Sequence, residues 1–552
     1  MGLFGRFGHF VNTEFALYKN AKRLSGDAKQ EYFADGMTEE LIAKLARIAS
    51  LRVISRTSVM EYKDAHKPLP VIAKELNVDA IVEGSVLHAG NRVRITAQLI
   101  HASTDRHLWA DSYERDLQDI LSLQNEVASA IAREVQVKLA PEEAAQLASA
   151  PQVNPQAYQA YLRGLNYAEG EITEENIRLA VEMFQKAVEL DPIFASAYAE
   201  LSRAQGFMYF VVDGTPERLA KTKAAVDRAF ELQPGLAEGH VALGYYYYRG
   251  FRDYDRALEE FRIAQKTLPN NKAVLGGTGT IYRRQGKWEE ALTAEKKLLA
   301  MDPRNALYAY DLGVTYGLLR KYAEAQRYFD LCISLRPDEE TGYHSSADNL
   351  IHWKGDTKSA RAILKRAPQK NSGPDVDAWF WLEFMDRRYQ AALDVLSSPN
   401  ADALDKPLAE GRAYLHMNKP ELADASFDTA RKQFEKELQE RPDNPRIHRS
   451  LGIAYAGLGR KEEAIREGKR AVELLPVSKD AIWGPNLVLN LASIYVLVGE
   501  ENAAIDQLEY LLSIPSPLSV SLLRIDPRWD PLRKNPRFQK LLEAKSSTTS
   551  TL

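Results

Sequence analysis

The stretch GLAEGHVALGYYYYRGFRDYDRALEEFRIAQKTLP (235–269), NNKAVLGGTGTIYRRQGKWEEALTAEKKLLAMDP (270–303) and RNALYAYDLGVTYGLLRKYAEAQRYFDLCISLRP (304–337) decides the fold. Each block closes on a proline after a long helical run. Pro269, Pro303 and Pro337 are 34 residues apart, as are Gly279 and Gly313, and Ala291 and Ala325. Phase locking of this kind marks an internal repeat. Small residues let two helices of a unit approach closely, large aromatics fill the gap beside them, and the closing proline stops the second helix.

The same positions recur as Leu243-Gly244, Tyr247 and Ala257; as Gly279, Tyr282, Gly286, Trp288 and Ala291; and as Leu312-Gly313, Tyr316, Tyr322 and Ala325. Residues 445–476 repeat them again with Leu451-Gly452, Tyr455, Gly459, Ala464, Ala471 and Pro476. The pattern resembles the tetratricopeptide repeat, one helix–turn–helix per 34 residues. Weaker units at 157–192, 193–234, 338–370, 373–404, 405–444 and 481–514 bring the array, residues 157–514, to about ten helix pairs. Ile525-Asp-Pro-Arg-Trp529, Pro531 and a short helix to Leu542 read as a cap over 515–543, since an open array end needs a solvated face. Residues 544–552 read as a polar tail.

Upstream, the pattern turns mixed. Residues 1–30 carry Phe4, Phe7, Phe10 and Phe15 without a clear period, and read as a loose terminus or a short amphipathic helix. In 31–140, Phe33–Thr38 reads as a helix start, with Asp35 or Thr38 as cap and Glu39 and Glu40 in the first turn. Leu51–Ser55 reads as a short strand and Pro70–Leu76 as a second helix. Residues 79–88 and 92–100 form a hairpin around Ala89-Gly90-Asn91. Its second arm alternates Val93, Ile95, Ala97 and Leu99 with Arg92, Arg94, Thr96 and Gln98. A long helix follows from about 120, with Leu123, Val127, Ile131, Val135 and Leu139 on one face. Residues 141–156, rich in Ala, Pro and Gln, read as a linker.

EYFADGMTEELIAKLARI, LRVISRTS, IAKELNVDAIVEGSV, NRVRITAQLI and HLWADSYERDL together resemble the TolB amino-terminal-like domain over about residues 24–140. The resemblance implies a bacterial signalling setting, in which this domain stands between an effector (a kinase, a winged-helix domain or an adenylate cyclase) and a repeat array. The family opens with a buried strand before a Leu-Ser-Gly-Asp turn. Here Leu24–Asp27 keeps the turn, but Ala16–Arg23 brings lysines and an arginine unsuited to a central strand. Either the strand is lost or another segment replaces it. No effector precedes the domain, so the chain reads as the input and scaffold half of such a regulator. The fold class is α+β: a small N-terminal α/β domain followed by an all-α tetratricopeptide superhelical solenoid.

Composition bounds the function. The 552 residues carry a net charge of −4, with 27% charged residues, so nothing attracts nucleic acid. Cys332 is the single cysteine, which excludes an internal disulfide. No apolar run is long enough to span a membrane, the N-terminus lacks the h-region of a signal peptide, and Arg6 breaks a myristoylation motif. The expected location is cytoplasmic. Gly286-Lys287 is not a phosphate loop, because the upstream glycine falls on Ile281 and Trp288 follows. Cys332 occupies a small buried position. His344 and His352 have no third metal ligand in phase. Glu289-Glu290 and Glu462-Glu463 open helices, where the dipole explains them. No catalytic residue, cofactor site or metal site is expected.

In repeats of this kind the first helix of each pair lines a groove that binds extended peptides. Those positions hold Tyr245, Tyr248 and Arg249, then Thr280, Arg283 and Arg284, then Tyr310 and Val314. Aromatic and arginine side chains suit a binding hot spot, and the arginines suit a carboxylate-bearing ligand. Four consecutive tyrosines, Tyr245–Tyr248, cannot all face one helix core. The expected function is a non-catalytic scaffold that captures a protein or peptide partner. Changing Arg283 and Arg284 to Glu should then abolish capture and spare the fold. The alternative is a sensory module whose α/β domain binds a small ligand and relays its state through the array.

Overall fold

The computed structural model describes residues 13–18, 28–60, 62, 67–135, 139–141, 143–144, 152–170, 172–368, 373–397 and 405–543. Strands β1 (Thr13–Tyr18), β2 (Leu51–Val53), β3 (Ala80–Ala89), β4 (Arg92–His101) and β5 (Arg106–Asp116) form one sheet in the order β2-β1-β3-β4-β5. β1 runs parallel to β2 and β3, and the other pairings are antiparallel. Parallel neighbours need crossovers, supplied by α1 (Ala28–Leu45) between β1 and β2 and by α2 (Arg56–Met60) and α3 (Leu69–Leu76) between β2 and β3. Helix α4 (Ile120–Glu134) follows β5.

The hairpin matches its alternation: Val93, Ile95, Ala97 and Leu99 are buried, while Arg92, Arg94 and Thr96 are exposed. Gly90 turns it with φ +62°. Two readings change. A strand does open the domain, at Thr13–Tyr18; Lys19, Lys22 and Arg23, the basic residues that argued against a central strand, lie outside the described residues. Of the four terminal phenylalanines, Phe15 falls in β1, and Phe4, Phe7 and Phe10 lie outside the described residues. Second, α1 begins at Ala28 rather than near Phe33. Thr38 is therefore mid-helix, its hydroxyl donating back to the Ala34 carbonyl at 2.8 Å, and Asp35 pairs with Arg56 at 3.3 Å instead of capping. Gly36 stays in the helix because a Cβ there would stand 2.9 Å from Leu162 Cβ.

From Pro155 the chain forms ten helix pairs among the described residues. They are α5 (Pro155–Ala168) with α6 (Glu174–Leu190), α7 (Ala195–Val211) with α8 (Pro216–Leu232), α9 (Ala237–Phe251) with α10 (Tyr254–Thr267), α11 (Lys272–Arg284) with α12 (Trp288–Met301), and α13 (Ala306–Leu318) with α14 (Tyr322–Leu335). Then come α15 (Thr341–Lys354) with α16 (Thr357–Leu364), α17 (Gly373–Met385) with α18 (Tyr389–Leu396), α19 (Lys406–His416) with α20 (Pro420–Glu440), α21 (Pro445–Gly457) with α22 (Lys461–Leu474), and α23 (Trp483–Leu497) with α24 (Glu501–Ser513). Helices α10, α12 and α14 end at Thr267, Met301 and Leu335, just before the periodic prolines. Asn154, Thr173, Thr215, Asp253, Asn305, Asp356 and Asn444 cap helix starts by accepting backbone N–H bonds.

One packing motif recurs inside the pairs. A glycine of the first helix receives a phenylalanine ring from the second: Gly164 with Phe184, Gly244 with Phe261, Gly313 with Phe329 and Gly411 with Phe427. A Cβ at Gly244 would stand 2.5 Å from the Phe261 ring, so no larger residue fits without movement.

By contacts the chain divides into two compact units. The first runs to Ile281 and adds Ala294–Arg304; the second comprises Tyr282–Thr293 and everything from Asn305. In the first, the α/β core and the opening helix pairs share one apolar cluster, from Phe33 and Leu99 through Tyr158, Leu162 and Phe184 to Leu201. In the second, α25 (Val520–Ile525), a 3-10 stretch (Pro527–Lys534) and α26 (Pro536–Glu543) follow the pairs. This segment does not only shield the last helix. Ser519 and Ser521 donate to the carbonyls of His352 and Trp353 at 2.6 and 2.9 Å, and Arg320 donates to Leu518 O and Leu511 O at 3.0 and 2.8 Å. Trp529 is fully buried in a cluster with Ala347, Ile351, Leu382 and Leu491.

Candidate binding surface

In the first unit, the first helices of several pairs face the chain's own α/β domain. Helix α1 packs on α5, and Tyr161 donates its hydroxyl to Glu40 at 3.1 Å. Burial raises the Glu40 carboxyl above its usual range, opposed by Lys44. Arg47 pairs with Glu238 of α9. Lys272 of α11 pairs with Glu39 of α1 at 3.1 Å and with Glu169. Asn270 donates to the carbonyls of Leu51 and Ile48. At the end of α12, Ser55 N–H donates to Met301 O at 3.1 Å, Ser58 donates to the Asp302 carboxylate, and Arg304 N–H donates to Ser58 Oγ at 2.9 Å. The repeats of this unit thus already hold a folded domain, through polar contacts whose buried members would be costly to leave unpaired.

The residues singled out in the sequence fall into two groups. Tyr245, Tyr248, Arg249 and Thr280 lie in the first unit. Tyr245 donates its hydroxyl to Ala273 O at 2.8 Å and packs edge-on against Phe261. Tyr248 is buried between Phe210 and Tyr254. Tyr246 and Tyr247 also take aromatic or cationic partners, Phe251 and Arg256, so all four tyrosines pack. Thr280 is half-buried.

Arg249 differs. Its guanidinium lies over the rings of Phe207 and Tyr245, 4.7 and 4.2 Å from their centroids, and donates to Arg203 O at 3.4 Å. Burial, aided by Arg203, pulls it down to about 10. It lines a cleft of about 150 Å³ with Arg203, Glu200, Phe207, Phe184 and Ile177. Arg203 is held by Glu200 at 2.8 Å.

Arg283, Arg284, Tyr310 and Val314 lie in the second unit. Arg283 is buried and pairs with Asp311 at 2.9 Å. Arg284 pairs at 2.6 Å with Asp480, which is fully buried, and its carbonyl accepts Ala481 N–H at 2.7 Å. Both arginines thus serve the fold, and converting them to Glu would set carboxylates against Asp311 and Asp480. Tyr310 and Val314 are half-buried on α13. Leu307, 49% exposed, continues their stripe one turn earlier and escaped the sequence reading because it matched no repeat position. His344, read as lacking ligands, has donor atoms within 4.8 Å of Glu340 and Asp375, a set that could hold a divalent cation; His352 is not among them.

A family model described as tetratricopeptide repeat matches residues 241–306, 277–339 and 408–478. The chain carries tetratricopeptide repeats. A protein of Rhizobium meliloti (strain 1021) named "Putative adenylate cyclase 3" is 35% identical over 225 residues, which cover 40% of this chain and 38% of that protein. BBSome complex member bbs-4 of Caenorhabditis elegans is 26% identical over 171 residues, covering 31% of this chain and 36% of its own. The chain thus spans well under half the length of these curated relatives. Among solved structures, the human IFIT1 dimer with m7Gppp-AAAA superposes with a TM-score of 0.37 at 16% identity, covering 64% of this chain and 77% of that one. A thermophilic tetratricopeptide protein of Thermus thermophilus gives a TM-score of 0.30 at 17% identity, covering 35% and 99%. Among the described residues no helix is long and apolar enough to cross a membrane.

Proposed function

We propose that this protein is a non-catalytic scaffold that captures a protein partner on its tetratricopeptide repeats. The observation that carries the reading is the way the first unit's repeats already hold a folded domain through Arg47–Glu238, Lys272–Glu39 and Asn270–Leu51. The face left for an external partner is the stripe Leu307, Tyr310 and Val314 on α13, apolar side chains at helical spacing that suit an apolar or aromatic segment. The TolB-like resemblance of residues 24–140 and the Rhizobium relative support a bacterial signalling setting. A Tyr310→Ala, Val314→Glu double variant that melts like the wild type should lose partners captured from native cells by the full-length protein. Identical capture profiles would remove α13 as the docking face.

The sensory alternative placed its ligand in the α/β domain. One cavity there, lined by Met37, Val82, Ile95 and Gln124, measures about 30 Å³, room for little more than a water. A ligand role for that domain gains no support from it.

A further inference from the structure

The cleft around Arg249 has the features of a small-molecule site, and it sits in the repeats rather than in the α/β domain. Arg249 projects from α9, whereas Arg203 and Glu200 come from α7, so two adjacent first helices build the polar end. Phe184, Ile177 and Ala180 of α6, with Ala204 and Phe207 of α7, build the apolar end.

Charge decides what would bind. Glu200 neutralises Arg203 within the same helix. Among the described residues no carboxylate pairs with Arg249; its neighbours are the two aromatic rings, the Arg203 carbonyl and the Arg203 guanidinium. At the polar end Arg203 thus has a carboxylate of its own in Glu200, and Arg249 has none among the described residues. Nearby Glu169 shares Lys272 with Glu39 and also feels Arg203. A cation in that position is costly unless an anion joins it. A monoanion would give Arg249 the partner it lacks, whereas a dianion would bring a second negative charge toward Glu200. Guanidinium and carboxylate match as a two-point pair, and stacking on rings leaves a guanidinium's edge N–H groups free to donate, apart from the long Nη1 bond to Arg203 O. A volume of about 150 Å³ accommodates a body the size of a benzene ring.

We propose that this cleft binds a small organic monocarboxylate with an apolar body, its carboxylate on Arg249 and its body against Phe184 and Ile177. The proposal does not depend on the scaffold reading. The cleft is also wired to the α/β domain. Glu169 precedes Gly170 of the cleft wall and shares Lys272 with Glu39 of α1.

The test uses the full-length protein, with calorimetry and thermal shift against benzoate, 3-phenylpropionate and their neutral amides. A peptide ending in phenylalanine, as free acid and as amide, separates a free metabolite from a chain terminus. The expected result is carboxylate binding with a Kd in the millimolar range or tighter and none by the amides. Arg249→Met should weaken it at least about tenfold, and Glu200→Gln should tighten it severalfold by removing the competing carboxylate. Equal binding of acids and amides, no binding of any free carboxylate, or binding of the peptide acid alone would overturn the proposal. If Arg249→Met does not fold, Glu200→Gln decides: unchanged or weaker binding counts against the site.

Discussion

Asn270 donates through Nδ2 to the carbonyl oxygen of Leu51 at 2.9 Å, closing the end of β2 against the turn that follows the third helix pair. The same nitrogen reaches Ile48 O at 3.3 Å, and Asn270 is buried. Asn270→Ala leaves two backbone acceptors without this donor and should cost about 1–3 kcal/mol. Urea unfolding, with hydrogen exchange over residues 48–53, would register the loss. A neutral result would mean that the domain is not held through this turn.

The glycine–phenylalanine motif predicts a second loss. Gly244→Leu drives a side chain into the Phe261 ring and should destabilise by about 1–3 kcal/mol or more. Gly235, with open space around a Cβ, is the control: Gly235→Ala should be close to silent. Similar melting shifts at both positions would break the argument from close approach.

Arg284→Met removes the ion-pair partner of a fully buried carboxylate that also accepts the Ile482 and Trp483 N–H groups. Breaking such a pair from one side costs about 3–5 kcal/mol, so the variant should melt well below the wild type. Adding Asp480→Asn should recover part of the loss in a double-mutant cycle. Strict additivity would show that the two residues do not interact.

Arg412 predicts the opposite sign. It is buried on α19 over the Trp381 ring, and burial with the fields of Arg528 and Arg449 pulls it down to about 9. A charge held under such repulsion costs stability, so Arg412→Met should stabilise by about 1–3 kcal/mol. A lower melting temperature would mean that the guanidinium has a stabilising role the geometry does not display.

Cys332 is buried, and burial, reinforced by Glu339, pushes its thiol up to about 11. The reactive thiolate is then scarce at neutral pH. Iodoacetamide should label the native protein slowly at pH 8 and rapidly once denaturant is added. Fast native labelling would contradict this environment.

The periodic prolines and small residues were enough to place the helix pairs, because those features act within one unit of the chain. β1 was hidden for a local reason: six residues, TEFALY, offer little periodicity beside a basic run. The recurrent phenylalanines stand four places after Ala180, Ala257, Ala325 and Ala423, but Glu295 and Gly468 interrupt the series. The roles of the arginines were out of reach for a different reason. Arg284 meets a carboxylate 196 positions away and Arg47 one 191 away, and no spacing rule reports such a partner. Arg249 stood out among the aromatic residues, yet its want of a counter-charge is visible only when Glu200 is seen to be taken by Arg203.

The seat of β2 and α2 on the end of α12 has a further consequence, for synthesis. Ser58 finds Asp302 244 positions later, and the Arg304 amide 246 later. The N-terminal domain leaves the ribosome first, but its docking surface is complete only after four helix pairs have followed. Closing contacts over such separations is slow, so a nascent chain stopped before Arg304 would expose the docking side of β2 and α2. A chaperone would meet this protein at that stage of its translation.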